Sequence, residues 1–224
     1  RPRFCAAAQR VRAFANLFLR APGGGYFASQ DADVRPGEHS EAYFALDDAA
    51  RRVIGMPRVA PQVYARETGA LIEALALLAE VSGDRGALAE ARAAAQWALT
   101  ARRNADGSFR HDAVDAGGPY LGDSLRMARA LLELYRADGE RRWLHESLTT
   151  TLAVERLFRS PGGYATAVQG DAPIAPLPSL EEQISLARHA NLLSHYTGDV
   201  RLRAMAEHAL AWLAREEIAL ATFT

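Results

Sequence analysis

Thr68-Gly69-Ala70-Leu71-Ile72-Glu73-Ala74-Leu75-Ala76-Leu77-Leu78-Ala79-Glu80-Val81-Ser82-Gly83-Asp84 decides how this chain is read. Leu71, Leu75 and Leu78 fall on one face at helical spacing. Gly83-Asp84 then makes a turn, and a second helix is predicted from about Gly86 to Arg102. Glycine there fits the left-handed position past a helix end, and the acidic residue after it favours the next helix start. The same plan returns at Asp123 to Arg136, Gly139-Glu140 and Arg142 to Phe158, and again at Ser179 to Tyr196, Gly198-Asp199 and Val200 to Ala214. The turn glycines are 56 and 59 residues apart, and Trp97 and Trp212 each stand 14 residues after theirs. Glycine-aromatic turns, Gly25-Tyr26, Gly107-Ser108-Phe109 and Gly163-Tyr164, recur between the pairs. Ser179-Leu180-Glu181-Glu182 reads as a capping box.

A repeat of more than fifty residues with two helices and a glycine-rich connection is too long for a tetratricopeptide or armadillo array. It fits helical hairpins joined by long loops around a common axis, an α/α toroid; an irregular bundle is the alternative. The expected fold is therefore all-α: an incomplete toroid of about four pairs, in a single domain over residues 1–224. Because the chain begins Arg1-Pro2-Arg3 rather than with Met, it is expected to be a fragment of a longer chain. Upstream of the repeats, Val11, Phe14, Leu17 and Phe18 give residues 4–20 an apolar helical face, ended by Ala21-Pro22-Gly23-Gly24-Gly25. A loop from Gly25 to Glu41 follows, then a short piece at 41–46 and a helix from Asp47 to Ile54.

The net charge of -1 disfavours nucleic acid and anionic membranes as partners. No run is long or apolar enough to span a bilayer. All 26 basic side chains are arginine, so a Schiff-base lysine and a P-loop lysine are both excluded. Cys5 is the only cysteine, which rules out an internal disulfide or a cysteine-rich zinc site and suits a reducing, cytoplasmic setting. No serine has a G-x-S-x-G setting, and no histidine pair has metal-binding spacing; no metal or cofactor is expected. The arginines spread along helix faces near acidic residues and read as a solvated surface.

Several segments together resemble the bacterial thioredoxin-domain proteins related to spermatogenesis-associated protein 20. Gly24-Gly25-Tyr26-Phe27-Ala28-Ser29-Gln30-Asp31-Ala32-Asp33 is similar to that family's G-G-F-Y-S-A-x-D-A-D stretch, and Ala42-Tyr43-Phe44 to its Tyr-Tyr-Val-Trp segment. Asp123 with Leu131-Leu132-Glu133-Leu134-Tyr135 and Trp143-Leu144 is similar to a helix pair of the family, and Pro178-Ser179 and Thr197-Gly198-Asp199 to later stretches. The resemblance implies a toroid of the six-hairpin glycosidase and N-acylglucosamine 2-epimerase type, a sugar or oligosaccharide as ligand, and a thioredoxin-like domain elsewhere in the full chain. There are departures. Ala60-Pro61-Gln62 and Glu67-Thr68-Gly69 replace the family's Asp-Asp-Lys and Trp-Asn-Gly, and Glu181 stands where it has asparagine. Two readings follow: a carbohydrate-active toroid, or a scaffold or interaction domain whose pocket has degenerated.

Asp31 and Asp33, two apart, would point the same way in an extended loop, and paired carboxylates can split into an acid and a base. Structural loop bonding is the bland alternative; a calcium site with Glu38 fits poorly, because Arg35 and Gly37 are out of register for an EF-hand. Asp123 reads first as an N-cap and second as a catalytic carboxylate at the toroid mouth. An α/α epimerase needs a histidine base, which makes His111 a candidate; His39 lies in another loop that could converge on Asp31. Tyr26, Glu38, Tyr43, Glu67 and Tyr120 complete the expected substrate-binding set.

Overall fold

The computed structural model describes residues 2–35, 37–38, 40–115, 117–168, 170 and 175–218. Helix α1 (Pro2–Phe14) runs on as a wider π-helical turn over Ala15–Leu19. Two short helices follow, α2 (Glu41–Phe44) and α3 (Asp48–Ile54). Then come three hairpins: α4 (Ala65–Ser82) with α5 (Arg85–Ala101), α6 (Leu121–Asp138) with α7 (Arg141–Phe158), and α8 (Leu180–Thr197) with α9 (Val200–Leu213). A two-residue ladder, β1 (Arg159–Ser160) against β2 (Gly163–Tyr164), precedes α8. No helix among the described residues is long and apolar enough to cross a membrane.

Each hairpin turns on a glycine in the left-handed region: Gly83, Gly139 and Gly198 have φ of 73°, 73° and 71°. Asp84 and Asp199 cap the helices that follow, with amides of Ala87 and Arg201 donating to their side chains. The first helices of the hairpins form one layer, α4 beside α6 and α6 beside α8, while α5, α7 and α9 back them. Helix α6 is apolar on two sides. Met127, Ala130, Leu131 and Leu134 join a core with α4 and α5, while Leu121, Leu125 and Leu132 join a second core with α7, α8 and α9. Trp143 and Phe158 on α7 are buried in these two cores.

The connections between hairpins share one design. After α1, α5 and α7 an arginine pairs across a tight turn with an aromatic residue: Arg20 with Tyr26, Arg103 with Phe109, Arg159 with Tyr164. The three rings are buried. The amide of each is taken by the side chain of the fourth residue of the next inner helix: Tyr26 donates to Thr68 Oγ1 at 3.3 Å, Phe109 to Ser124 Oγ at 3.0 Å, Tyr164 to Gln183 Oε1 at 3.0 Å. Two residues further on, the loop carbonyl accepts the first amide of the preceding inner helix, Ala65 to His111 and Leu121 to Thr166. One loop thus ties two neighbouring inner helices. Trp97 and Trp212 find their role here. A Cβ at Gly24 would overlap the Trp97 indole, and Trp212 lies against Gly163, so the first and third glycine turns are seated on a tryptophan of a backing helix, while Gly107 in the second lies against Thr149 and Ala153 of α7.

Helix α1 is pinned to α5 by Arg12, which pairs with Glu90 through two bonds of 2.8 and 2.7 Å and with Asp84 at 2.6 Å. The apolar face expected of this helix is present, but Phe4, Val11, Phe14 and Leu17 are exposed; nothing among the described residues covers them. The described residues therefore present three full pairs and α1 as an additional backing helix.

His189 links two hairpins. Thr151 donates its hydroxyl to the Ser147 carbonyl and so accepts from His189 Nε2 at 2.9 Å. Burial, with Arg129 adding, pushes the His189 pKa down from 6.5 to about 3.

Two outcomes are expected. Ser124→Ala and Thr68→Val each leave a buried amide without an acceptor and should cost about 1–3 kcal/mol in urea unfolding. Because unfolded His189 takes a proton near pH 6.5 and the folded site only near 3, its contribution is full above pH 6.5 and falls as pH drops. Roughly 1–2 kcal/mol should be lost between pH 6.5 and 5. Comparing urea midpoints of wild type and His189→Gln across that window isolates the term; an unchanged slope in the variant would refute it.

Candidate functional site

The inner helices α4, α6 and α8 start at one rim, and each carries an acid at its third residue: Glu67, Asp123 and Glu182. Carboxylates are favourable in a helix's first turn, where free amides and the helix dipole present positive charge. At this rim they are also drawn into contact between helices. The Asp123 side chain is 2% exposed, and its Oδ1 accepts the Arg66 amide of α4 at 3.0 Å. Asp123 is thus inside its own helix, whose N-cap is Tyr120, and satisfies the neighbouring helix instead. The N-cap reading of Asp123 is corrected accordingly: the acid that follows an apolar helix start need not serve that helix.

His111 completes this arrangement. Its Nδ1 lies 3.0 and 3.1 Å from the two oxygens of Asp123. Tyr64 stacks on the imidazole with ring centroids 4.0 Å apart, and Tyr120 meets it edge-on at 5.8 Å. The His111 side chain is one-third exposed. With Nδ1–H donated to the carboxylate, Nε2 is left as a lone-pair acceptor, the tautomer a general base requires. Burial pushes the Asp123 carboxyl up, and the His111 bond and the Arg66 amide oppose it. Glu67 acts on the same group from α4; its Oε2 is buried without a hydrogen-bond partner. Glu182 is also pushed up by burial, with a side-chain bond from Ser179 and the charge of Arg66 opposing it, and it sits against Gly122 of α6. The Ser179 half of the capping box is present, with the Glu182 amide donating to it at 3.3 Å.

The other expected residues lie apart from this cluster. Residues 28–31 pair with 58–62, through Ala28 to Gln62, Asp31 to Arg58 and Ala60 to Ser29. Asp31 is exposed and its Oδ1 takes the Asp33 amide at 3.2 Å. The chain folds back there, with the Asp31 carboxylate engaged by the backbone two residues on. No hydrogen bond or ion pair among the described residues joins Asp31 or Asp33 to His111 or Asp123. Glu38 is exposed, 3.7 Å from Arg35. Tyr26 is 4% exposed, with its hydroxyl on Asn16, and belongs to the core rather than to an open wall. Tyr43 is buried too, its hydroxyl on the Gly55 carbonyl. His39 is outside the described residues. No group of three His, Cys, Asp or Glu among the described residues is placed to hold a metal.

Below the rim, the exposed faces of α4, α6 and α8 enclose a groove of about 470 Å³. Glu73, Arg129, Arg136, Ser185 and Arg188 line it, with Leu132, Ile184 and Leu192 between them. A smaller hollow at the rim, beside Arg66 and Glu182, shares Glu181 and Ser185 with the groove. These groove residues were hidden among arginines and glutamates that read as a solvated surface. The one available signal was their recurrence on first helices of the hairpins.

No protein-family model matches the chain, and no curated protein sequence matches it. Solved structures do. A family 76 glycoside hydrolase (mannosidase) from Bacteroides thetaiotaomicron VPI-5482 aligns with a TM-score of 0.57 at 10% identity, over 67% of this chain and 44% of that one. A D-mannose isomerase aligns at 0.59 and 12%, over 92% and 68%. Cellobiose 2-epimerase from Spirochaeta thermophila DSM 6192 aligns at 0.54 and 14%, over 95% and 71%. The chain thus spans less than half the length of the mannosidase. At these identities the likeness concerns the fold alone: the hairpins of this chain are those of an α/α toroid.

Proposed function

We propose that this chain is part of a sugar isomerase or epimerase of the α/α-toroid type, with His111 as its base. The observation that carries the reading is the pairing of His111 Nδ1 with both oxygens of the buried Asp123 carboxylate. That pairing fixes the tautomer and stabilises the imidazolium formed when Nε2 takes a proton. The substrate proton would be the one on a sugar carbon beside the carbonyl. Its bonding electrons move onto the carbonyl oxygen, giving an enediolate. Return of the proton to the opposite face gives an epimer; its return to the neighbouring carbon gives an isomer. Tyr64 holds one face of the imidazole and Tyr120 meets it edge-on, which limits ring rotation. Glu67, which acts on Asp123 and has an unpartnered oxygen, would handle a hydroxyl proton. The solved structures of similar fold include a mannose isomerase and a cellobiose epimerase, which supports the substrate class. The affinity to thioredoxin-linked proteins rests on the Gly24–Asp33 stretch, and a cytoplasmic setting on the single cysteine.

A second reading, a non-catalytic scaffold, is favoured by a specific fact. The Asp123 carboxylate and the His111 carbonyl both accept amides from the first turn of α4, so both residues have architectural work.

His111→Gln separates the two. It keeps the loop carbonyl and a hydrogen-bonding side chain but removes the base. In a panel of aldoses and disaccharides followed by NMR, the wild type should exchange the proton beside the carbonyl for solvent deuterium. The variant should lose about 10²–10⁴-fold in rate with its melting temperature nearly unchanged. Equal exchange by both proteins rejects the base; no exchange by the wild type on any sugar favours the scaffold.

A further inference from the structure

The groove between α4, α6 and α8 has an uneven charge. On its rim half stand four guanidinium groups, Arg66, Arg126, Arg129 and Arg188, against the three carboxyl groups of Glu73, Glu181 and Glu182, the last pushed toward its neutral form by burial. Glu73 is already shared, with Arg126 at 3.2 Å and Arg129 at 2.5 Å. Glu181 is 73% exposed and 3.7 Å from Arg66, a loose contact in water. Arg188 has no hydrogen-bond or ion-pair partner among the described residues. Ser185 accepts from Arg129 at 2.7 Å, so its own hydroxyl hydrogen remains free to donate. Arg129 spends two of its five N–H donors on Glu73 and Ser185.

We propose that this half of the groove binds the anionic group, carboxylate or phosphate, of an acidic sugar, with Arg188 and Arg129 as the residues that take it. The inference rests on the sugar-handling reading above and names its substrate class. A planar guanidinium offers two parallel donors to an oxyanion, and Ser185 adds a third from the side. Ile184 and Leu192 are exposed apolar side chains within the groove, suited to the C–H face of a sugar ring. The volume of about 470 Å³ suits a mono- or disaccharide. The small hollow beside Arg66 opens from the same place through Glu181 and Ser185, and the Arg66 amide bonds Asp123. A ligand anchored on Arg188 and Arg129 therefore extends toward the rim that carries His111.

Titration calorimetry tests this with D-glucuronate and D-glucose 6-phosphate as charged probes and D-glucose as the neutral one. The wild type should bind at least one charged probe about tenfold or more tightly than glucose, with the preference shrinking as sodium chloride rises. The stronger charged probe identifies carboxylate or phosphate as the recognised group. Arg188→Gln should remove the preference without changing the melting temperature, because that side chain is exposed and unpaired; Arg129→Gln is the second variant. Equal affinity for glucose and both charged probes, no binding of any, or a preference that survives in both variants overturns the proposal. His111→Gln should bind the charged probes as the wild type does. Selective binding without any proton exchange would reject the base and keep the anion site; exchange without charge preference would do the reverse.

Discussion

A backbone amide that has left a helix and entered a buried turn must find an acceptor, and this requirement organises the chain. Leaving it unmade costs about 1–3 kcal/mol each time. Here the amides of Tyr26, Phe109 and Tyr164 are met by Thr68, Ser124 and Gln183, one per hairpin, always from the fourth residue of the next inner helix. The acceptor can be a hydroxyl or an amide because only its oxygen matters. The glycines before the aromatic residues have a matching reason: a side chain of a backing helix, Trp97 at Gly24 and Gly25, Thr149 at Gly107 and Trp212 at Gly163, occupies the space a Cβ would need. Turn, backing helix and inner helix are therefore one unit. Its repetition places successive inner helices side by side with their starts at the same rim.

That rim is where chemistry becomes available, for the same physical reason. Helix starts expose amides, and acids at the third position of each inner helix answer them. In a single helix this would be ordinary capping. Because the starts are neighbours, two of the three acids reach across: Asp123 serves α4, and Glu182 lies against α6. Crossing over buries them, and burial raises the carboxyls of Asp123 and Glu182 above their usual range. The His111 loop then passes between α4 and α6, bound to one by its carbonyl and to the other by its ring. A structural stitch has placed a histidine and a buried carboxylate in the relation a base and its orienting acid need.

The sequence displayed the repeat well, since glycine at the hairpin turns and the glycine-aromatic turns recur for a chemical reason, and the tryptophan offset repeats in two of the three hairpins. Helix limits shifted by a few residues, as at α4, which begins at Ala65. Asp123 and His111 were legible as candidates, but not their union, which depends on contact across hairpins. Asp31 and Asp33 drew attention through composition; local backbone bonding, with the Asp33 amide folding back on Asp31, decides their geometry. Tyr26 and Tyr43 beside glycine-rich or polar segments looked accessible, yet the rings are what those segments pack on. His189 gave no sign at all. A histidine on a helix looks alike whether it meets water or a buried threonine.

The arginines were hardest to place, because a helix in a ring has two polar sides to choose from, one outside and one facing the axis. Periodicity separates polar from apolar but does not tell these apart. Arg129 shows why the choice matters. From α6 it reaches Glu73 on α4 and Ser185 on α8, spanning all three inner helices with one planar group. A lysine, a point charge on a flexible stem, could neutralise Glu73 but not hold that fork. In a chain whose 26 basic residues are all arginine, the bonds that set the opening of the groove are made by the same groups that charge it. Spacing of the inner helices and selection for an anion are consequently coupled: a change that loosens Arg129 widens the groove and lowers its affinity together, whereas Arg188, tied to neither neighbour, alters the charge alone.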